Sequence, residues 1–194
     1  ILGSKRALVN WGRPSDEEQV EMMAGMGEHW DFTKRLVDAA LENPGDNYMG
    51  DMVRIYRDDP SKFTINYLYN VAFLMQFAGH ETTTQASANG IKALLEDRGE
   101  WEAICANPDK MANAVEEILR IDSSIFAWRR IATRDTEIAG HPVKAGQKIL
   151  LMLGSGSHDD AMVPGGAKVD HERRNAKRNL AFGHGAHFCM GAPL

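Results

Sequence analysis

The residues best suited to chemistry lie at the end of the sequence, where one cysteine stands among glycines, histidines and phenylalanines (AFGHGAHFCMGAPL). Phe182, Gly185, Cys189 and Gly191 have the spacing Phe-x-x-Gly-x-x-x-Cys-x-Gly. A thiol must lose its proton to bind a metal well, which requires a nearby cation or metal and N–H donors directed at the sulfur. Because glycine lets the backbone turn and approach closely, the spacing favours a single thiolate bound to haem iron.

Two alternatives for the same stretch stay open. His184, His187 and Cys189 are the ligand types of a zinc site. However, ligands this close together, with no obvious fourth ligand nearby, would make an awkward tetrahedron. The other alternative is a tight glycine turn around a buried cysteine that binds nothing.

A second polar group, Ala78–Thr84 (AGHETTT), interrupts a long segment with helical apolar spacing. Its glycine and threonines cost about 2–3 kcal/mol of helix propensity, and burial of apolar side chains at about 1.5–3 kcal/mol each outweighs this cost. Threonine hydroxyls can bond back to their own helix and bend it, so we expect a bent helix here. Glu81 beside Thr82 could deliver protons. The alternative is a solvated polar face.

A third motif, EEILR, places Glu117 and Arg120 three residues apart on one helix face. An exposed pair of this kind contributes only about 0.2–0.5 kcal/mol. A buried pair would act as a structural latch, because losing one partner would cost about 3–5 kcal/mol. The sequence is compatible with both.

The elements that position these residues are mostly helical. Apolar spacings of three and four predict a helix from a capping box at Ser15 and Glu18 to about Ala40, then helices at about 50–57, 64–96, 99–106 and 108–121. The third would be about 50 Å long and central. Residues 129–153 contain β-type runs with turns at Gly140–Pro142 and Ala145–Gly146, which predict hairpins. With mostly irregular chain over 154–178, the fold class is mainly α, of the α+β type.

Composition is ordinary for a globular protein: 43% of the 194 residues are hydrophobic, 25% are charged and the net charge is -5. No basic run alternates with aromatic residues, so nucleic-acid binding is not expected. The most apolar run, 67–78, is interrupted by Asn70 and Gln76, so no membrane span is expected. No secretory signal is visible, and the expected location is cytoplasmic. Cys105 is predicted to be a small core residue.

Taken in this order, AGHETTT, Glu117-x-x-Arg120 and FGHGAHFCMG resemble the oxygen-activation motif, the Glu-x-x-Arg latch and the cysteine-ligand loop of the bacterial-type cytochrome P450 haem-thiolate monooxygenases. The segment RRIATRDTEIAGHPVKAG is similar in texture to the family's hairpin region. The resemblance implies a partial cytochrome P450-like fold with a long central helix, small antiparallel β-hairpins and a cysteine-ligand loop. It implies haem b (iron protoporphyrin IX) as cofactor.

Within that resemblance, Cys189 would be the axial ligand of the haem iron, with Phe182 and Gly191 beside it. His187 and Arg130 would face the haem propionates as donor or cationic partners.

The long helix would contribute the other side of the site. Ala78 and Gly79 would lie over the distal face of the porphyrin, and Glu81 and Thr82 would manage protons and water.

The implied reaction inserts one oxygen atom from O₂ into a small apolar organic substrate, with two electrons from a donor of the ferredoxin and ferredoxin reductase type. A peroxide-driven haem-thiolate enzyme and a non-catalytic haem- or zinc-binding module are the alternatives. The acid–alcohol pair at Glu81 and Thr82 favours the O₂ route.

The sequence departs from the family where a Pro-x-x-Arg-Phe element should supply an arginine to the latch. Lys168 and Val169 stand at those places, and lysine lacks the planar fork of arginine. The basic residues of 173–178 are predicted to be a solvated stretch, with steering of an acidic electron donor as the alternative.

Family members are much longer. Residues 1–194 are therefore predicted to be the C-terminal half of one cytochrome P450 domain, without its N-terminal portion and final helices. The isolated chain is expected to bind haem poorly and to be inactive.

Overall fold

In the computed structural model, residues 14–193 are described, and the chain divides between Glu81 and Thr82 into two compact units. The domain predicted over 1–194 includes residues 1–13 and 194, which lie outside the described part. Helices dominate, and two small antiparallel sheets accompany them, which confirms the mainly α class. None of the helices over 14–193 is long and apolar enough to cross a membrane.

The helices lie close to their predicted limits. They are α1 (Asp16–Glu42), α2 (Tyr48–Asp58), α3 (Ile65–Glu96), α4 (Arg98–Ala106), α5 (Met111–Ile121) and the short α6 (Leu153–Ser157), with single 3₁₀ turns at Pro108–Lys110, Ala176–Arg178 and Gly185–His187. Helix α3 is continuous through the AGHETTT motif, as expected. The bend expected there stays a prediction.

The N-terminal unit contains α1, α2 and the first half of α3. The capping box is present, because the Ser15 hydroxyl accepts from the Glu18 amide at 3.2 Å and the Glu18 carboxylate accepts from the Ser15 amide at 2.8 Å. This box satisfies amides at the helix start that have no partner within the helix. The core of the unit consists of Val37, Val53, Leu68 and Ala72.

The C-terminal unit has a separate core, formed by Leu94, Ile104 and Ala114. Helices α3 and α5 approach closely at Gly90, where an added Cβ would lie 2.5 Å from Cγ2 of Ile118. A side chain at position 90 would therefore separate the two helices. The prediction that Cys105 is a core residue is wrong, because Cys105 is exposed and its neighbour Ile104 takes the buried position.

The strands form two pairs. They are β1 (Trp128–Ile131), β2 (Thr136–Ile138), β3 (His141–Val143) and β4 (Lys148–Leu151), with β2 paired to β3 and β1 to β4. The predicted turn at Gly140 (φ 81°) joins β2 to β3. The second predicted hairpin is wrong, because β4 pairs with β1 rather than β3. The amide of Gly146 donates to Ala132 O at 2.8 Å, which directs the chain back toward β1.

Candidate functional site

Helix α5 carries a buried ion pair. The Arg120 guanidinium donates from Nε to Glu117 Oε2 at 2.7 Å and from Nη2 to Glu117 Oε1 at 2.8 Å, and both side chains are 0% exposed. This two-bond geometry fits the planar fork of arginine to a carboxylate. The question left open by the sequence is thus answered: the pair is buried, and it has the structural character of a latch.

A third charged group completes the latch, and it is not at position 168. Arg173 donates from Nε to Glu117 Oε1 at 2.8 Å with its side chain 9% exposed. The prediction that Arg173 belongs to a solvated stretch is therefore wrong. Lys168 contributes only its carbonyl, which accepts from Arg120 at 3.2 Å and from Arg173 at 3.3 Å. We call Glu117, Arg120 and Arg173 the ion triad.

The charges of the triad control the protonation of its carboxyl group. Burial favours the neutral acid and acts to raise the pKa of Glu117. Hydrogen bonds from Arg120 and Arg173, with the charges of both groups, outweigh burial and hold the pKa of Glu117 below its ordinary value. Glu117 is therefore a carboxylate that its partners keep ionised.

The triad also fixes the long connection between the sheet and the cysteine. Arg120 Nη1 donates to the carbonyls of Ser157 at 2.8 Å and Gly166 at 2.7 Å. Position 166 requires glycine, since an added Cβ would lie 2.9 Å from Val163 O. One buried guanidinium thus holds two separate points of an otherwise irregular segment.

The cysteine loop is shaped by local backbone contacts. Gly183 and Gly185 have φ values of 74° and 84°, a region that other residues rarely adopt. The Cys189 amide donates to Phe182 O at 3.0 Å, which closes the loop. The Phe182 and Phe188 rings pack edge to face at 6.2 Å.

The Cys189 thiol is free and exposed, so the buried-cysteine alternative is wrong. Gly191 lies beside the sulfur, since an added Cβ at that position would be 3.6 Å from Sγ, an ordinary van der Waals contact. Among residues 14–193, no group of three or more His, Cys, Asp or Glu side chains is placed to hold a metal ion. His184, His187 and Cys189 therefore do not form the zinc site considered from the sequence.

The AGHETTT residues lie within α3, where Glu81 and Thr82 are half-buried and Ala78 and Gly79 are exposed. Within the C-terminal unit, Ser124 Oγ donates to Thr82 O at 2.5 Å. This contact ties the segment between α5 and β1 to the motif. Sequence analysis did not find Ser124, because a serine in a connecting segment carries no distinguishing pattern.

The two predicted propionate partners are both exposed. Arg130 lies on β1 opposite Ile149, and its Nη1 donates to Arg129 O at 2.9 Å. His187 ends the 3₁₀ turn that precedes Cys189.

The chain is similar to known proteins in sequence and in structure. The family profile described as cytochrome P450 matches residues 110–194. Cytochrome P450 monooxygenase PikC of Streptomyces venezuelae is 33% identical over 182 residues, which are 93% of this chain and 43% of that protein. The solved structure of cytochrome P450 CREJ in complex with (4-ethylphenyl) dihydrogen phosphate matches with a TM-score of 0.86 and 38% identity over 97% of this chain and 46% of that chain.

The chain belongs to the cytochrome P450 family. An intact type IV self-sufficient cytochrome P450 monooxygenase is also similar, with a TM-score of 0.83 and 40% identity over 94% of this chain and 24% of that chain. This cytochrome P450 chain thus spans less than half the length of each of these three relatives.

Haem b is the cofactor of cytochrome P450 proteins, and the donor set of the loop fits it. One exposed thiol in a loop with two left-handed glycines offers a single sulfur ligand, whereas a structural zinc site needs several ligands. Exposed Arg130 and His187 supply the donor types that bind carboxylates.

Proposed function

We propose that this chain is the C-terminal half of a haem-thiolate monooxygenase, and that Cys189 is the residue that holds the haem iron. The observation that carries the proposal is the free, exposed thiol of Cys189 in a loop closed by the bond from its own amide to Phe182 O. When bound, a haem with a thiolate ligand supplies the chemistry of O–O bond cleavage.

The side chains of the chain would bind and orient the cofactor. Cys189 would donate its sulfur, with Phe182 and Gly191 beside it. Arg130 and His187 would bind the propionates through charged or neutral N–H donors. These residues come from a strand and from a closed loop, which would hold their backbones in position for the cofactor.

Residues of α3 would serve the other side of the site. Ala78 and Gly79 have little or no side chain, which suits them to a close approach by a flat cofactor. Glu81 would hold a proton and the Thr82 hydroxyl would relay it and orient water. The Ser124 contact to Thr82 O supports this role by restraining the helix backbone at that point.

The proposed reaction inserts one atom of O₂ into a small apolar organic molecule. Two sources of electrons are compatible with this proposal: a separate ferredoxin with its reductase, or a reductase region fused to the same protein. The second source is included because this chain is similar to a self-sufficient monooxygenase. A peroxide-driven enzyme is the alternative, distinguished by product formation with peroxide in the absence of O₂ and an electron donor.

We also propose that the 194 residues require the rest of the protein to bind haem stably. Large apolar side chains of the C-terminal unit are more than half exposed, among them Phe126 (61%), Ile131 (62%) and Leu150 (54%). Apolar surface of this extent is normally covered in a working protein.

The test is the substitution Cys189→Ser in the complete gene product. We expect loss of the haem pigment, or loss of the long-wavelength Soret band that the reduced carbon monoxide adduct shows with a thiolate ligand. Cys105→Ser is the matched control, since Cys105 is also a free, exposed thiol. An unchanged spectrum in Cys189→Ser would contradict the proposal.

A further inference from the structure

Ser157, the last residue of α6, contacts both the ion triad and the segment that enters the cysteine loop. Its carbonyl accepts from Arg120 Nη1 at 2.8 Å, and its hydroxyl accepts from the Leu180 amide at 3.1 Å. The residue is only 2% exposed. The backbone carbonyl and the side-chain hydroxyl thus have separate partners, which holds this small, buried residue in one position.

A short series of hydrogen bonds continues from Leu180 to the cysteine. The Leu180 carbonyl accepts from the Gly183 amide at 2.9 Å, and the Phe182 carbonyl accepts from the Cys189 amide at 3.0 Å. The Ser157 hydroxyl is therefore a side-chain anchor of the segment that leads to Cys189, next to Asn179, whose Oδ1 accepts from the Ala181 amide at 3.0 Å.

Helix α6 also contacts Leu180 through packing. An added Cβ at Gly156 would lie 3.0 Å from Cδ1 of Leu180. The Leu180 side chain and its amide are thus held by adjacent residues of the same short helix. This double contact limits both the translation and the rotation of the segment.

We propose that Ser157 is a positioning residue of the haem-thiolate site: its hydroxyl fixes Leu180, and through Leu180 it fixes the loop that presents the sulfur. The inference rests on the proposed function, because it concerns the orientation of Cys189 toward haem. Without the hydroxyl, the half-buried Leu180 amide loses its acceptor. The segment then shifts to find another partner, and the loop holds the sulfur in a wider range of positions.

The test is Ser157→Ala in the haem-loaded, complete gene product, read by the spectrum of the reduced carbon monoxide adduct. We expect the ratio of thiolate-free to thiolate-bound haem to rise about two- to ten-fold, the equilibrium factor for losing one hydrogen bond. Ser157→Thr keeps the hydroxyl and should return the ratio toward the parent value. Ser155→Ala, at an exposed serine of the same helix, is the matched control and should match the parent.

A merely structural role would lower the thermal midpoint of Ser157→Ala and leave this ratio unchanged, and that result would overturn the inference. If the parent shows the thiolate band and Ser157→Ala shows the same ratio, only the inference fails. If the parent itself lacks the band, the proposed function fails, and the inference fails with it. Should Ser157→Ala not accumulate as a folded protein, Ser157→Cys asks the same question, because sulfur is a weak acceptor.

Discussion

The ion triad and the cysteine loop belong to the same C-terminal unit, but they use their reactive groups in opposite ways. In the triad, Glu117 and Arg120 are completely buried, and their charged atoms bind one another, Arg173 and nearby carbonyls. In the loop, the Cys189 thiol is exposed, and hydrogen bonds of the backbone maintain the shape. If the loop binds haem as proposed, stability depends mainly on the triad and cofactor binding on Cys189, so substitutions at the two places should have separate effects.

The largest effect on stability should come from Glu117→Ala. Removing the carboxylate leaves two guanidinium groups with little exposure and without their counter-charge, so we expect a loss of about 3–5 kcal/mol in the free energy of unfolding. Urea unfolding measures it. Glu102→Ala is the matched control, since Glu102 pairs with Arg98 at the surface and should cost at most about 1 kcal/mol. Equal losses in the two variants would contradict a special role for burial.

The Glu117 carboxylate should also contribute to the acid limb, by which we mean the fall in the free energy of unfolding as the pH is lowered. Because the pKa of Glu117 is lower in the folded protein than in the unfolded chain, the unfolded state binds more protons in the window between the two values. The contribution is complete above the unfolded pKa of about 4.3 and is lost as the pH falls through the folded pKa. Replacing Glu117 should flatten this limb.

A salt titration separates Glu117 from a surface carboxylate. Hydrogen bonding and charge from Lys110, with the charge of His171, also lower the pKa of Glu172, which is solvent-exposed. Salt screens exposed charges far more than buried ones. The Glu172 contribution to the acid limb should therefore weaken in salt while that of Glu117 persists, and equal sensitivity to salt would contradict the buried geometry.

The next prediction concerns Arg173, which the sequence predicted to be solvated. Arg173→Ala removes one charge-assisted hydrogen bond to the buried carboxylate, and we expect a loss of about 1.5–3 kcal/mol in the free energy of unfolding. The neighbouring Arg174 is exposed, so Arg174→Ala should stay within about 0.5 kcal/mol of the parent. Urea midpoints compare the two variants directly. Equal urea midpoints for Arg173→Ala and Arg174→Ala would contradict the assignment of Arg173 to the ion triad.

Local patterns in the sequence predicted the helices and the pair at Glu117 and Arg120, because helical spacing is a property of neighbouring residues. Arg173 could not be predicted in this way, since it meets Glu117 across 56 positions and lies in a charged run that has the composition of a surface. The β4 partner was missed for a related reason. Turn residues predict where the chain reverses direction. They do not determine which strand pairs with the strand that follows, and here β4 pairs with β1.

Burial was also hard to predict for single apolar residues whose sequence neighbours are apolar as well. Cys105 and Ile104 are adjacent apolar residues of α4, and helix rotation buries only Ile104. The cysteine loop was easier to predict, because its glycines stand at a recognisable spacing from Cys189 in the sequence. Two of the loop glycines adopt left-handed φ values. The roles of individual side chains toward haem stay predictions.

The smallest effect on stability is expected at the residue with the largest proposed effect on the cofactor. Cys189→Ser exchanges one exposed side chain for another of similar size, so the free energy of unfolding of the haem-free protein should change by no more than about 0.5 kcal/mol. Urea unfolding of the haem-free protein measures this, with Cys105→Ser as control. A loss similar to that of Arg173→Ala would mean that the sulfur packs within the fold, and the contrast between triad and loop would fail. If Cys189→Ser loses the pigment while its free energy of unfolding is unchanged, the contrast between triad and loop is established, because the sulfur then affects only the ligand that it binds.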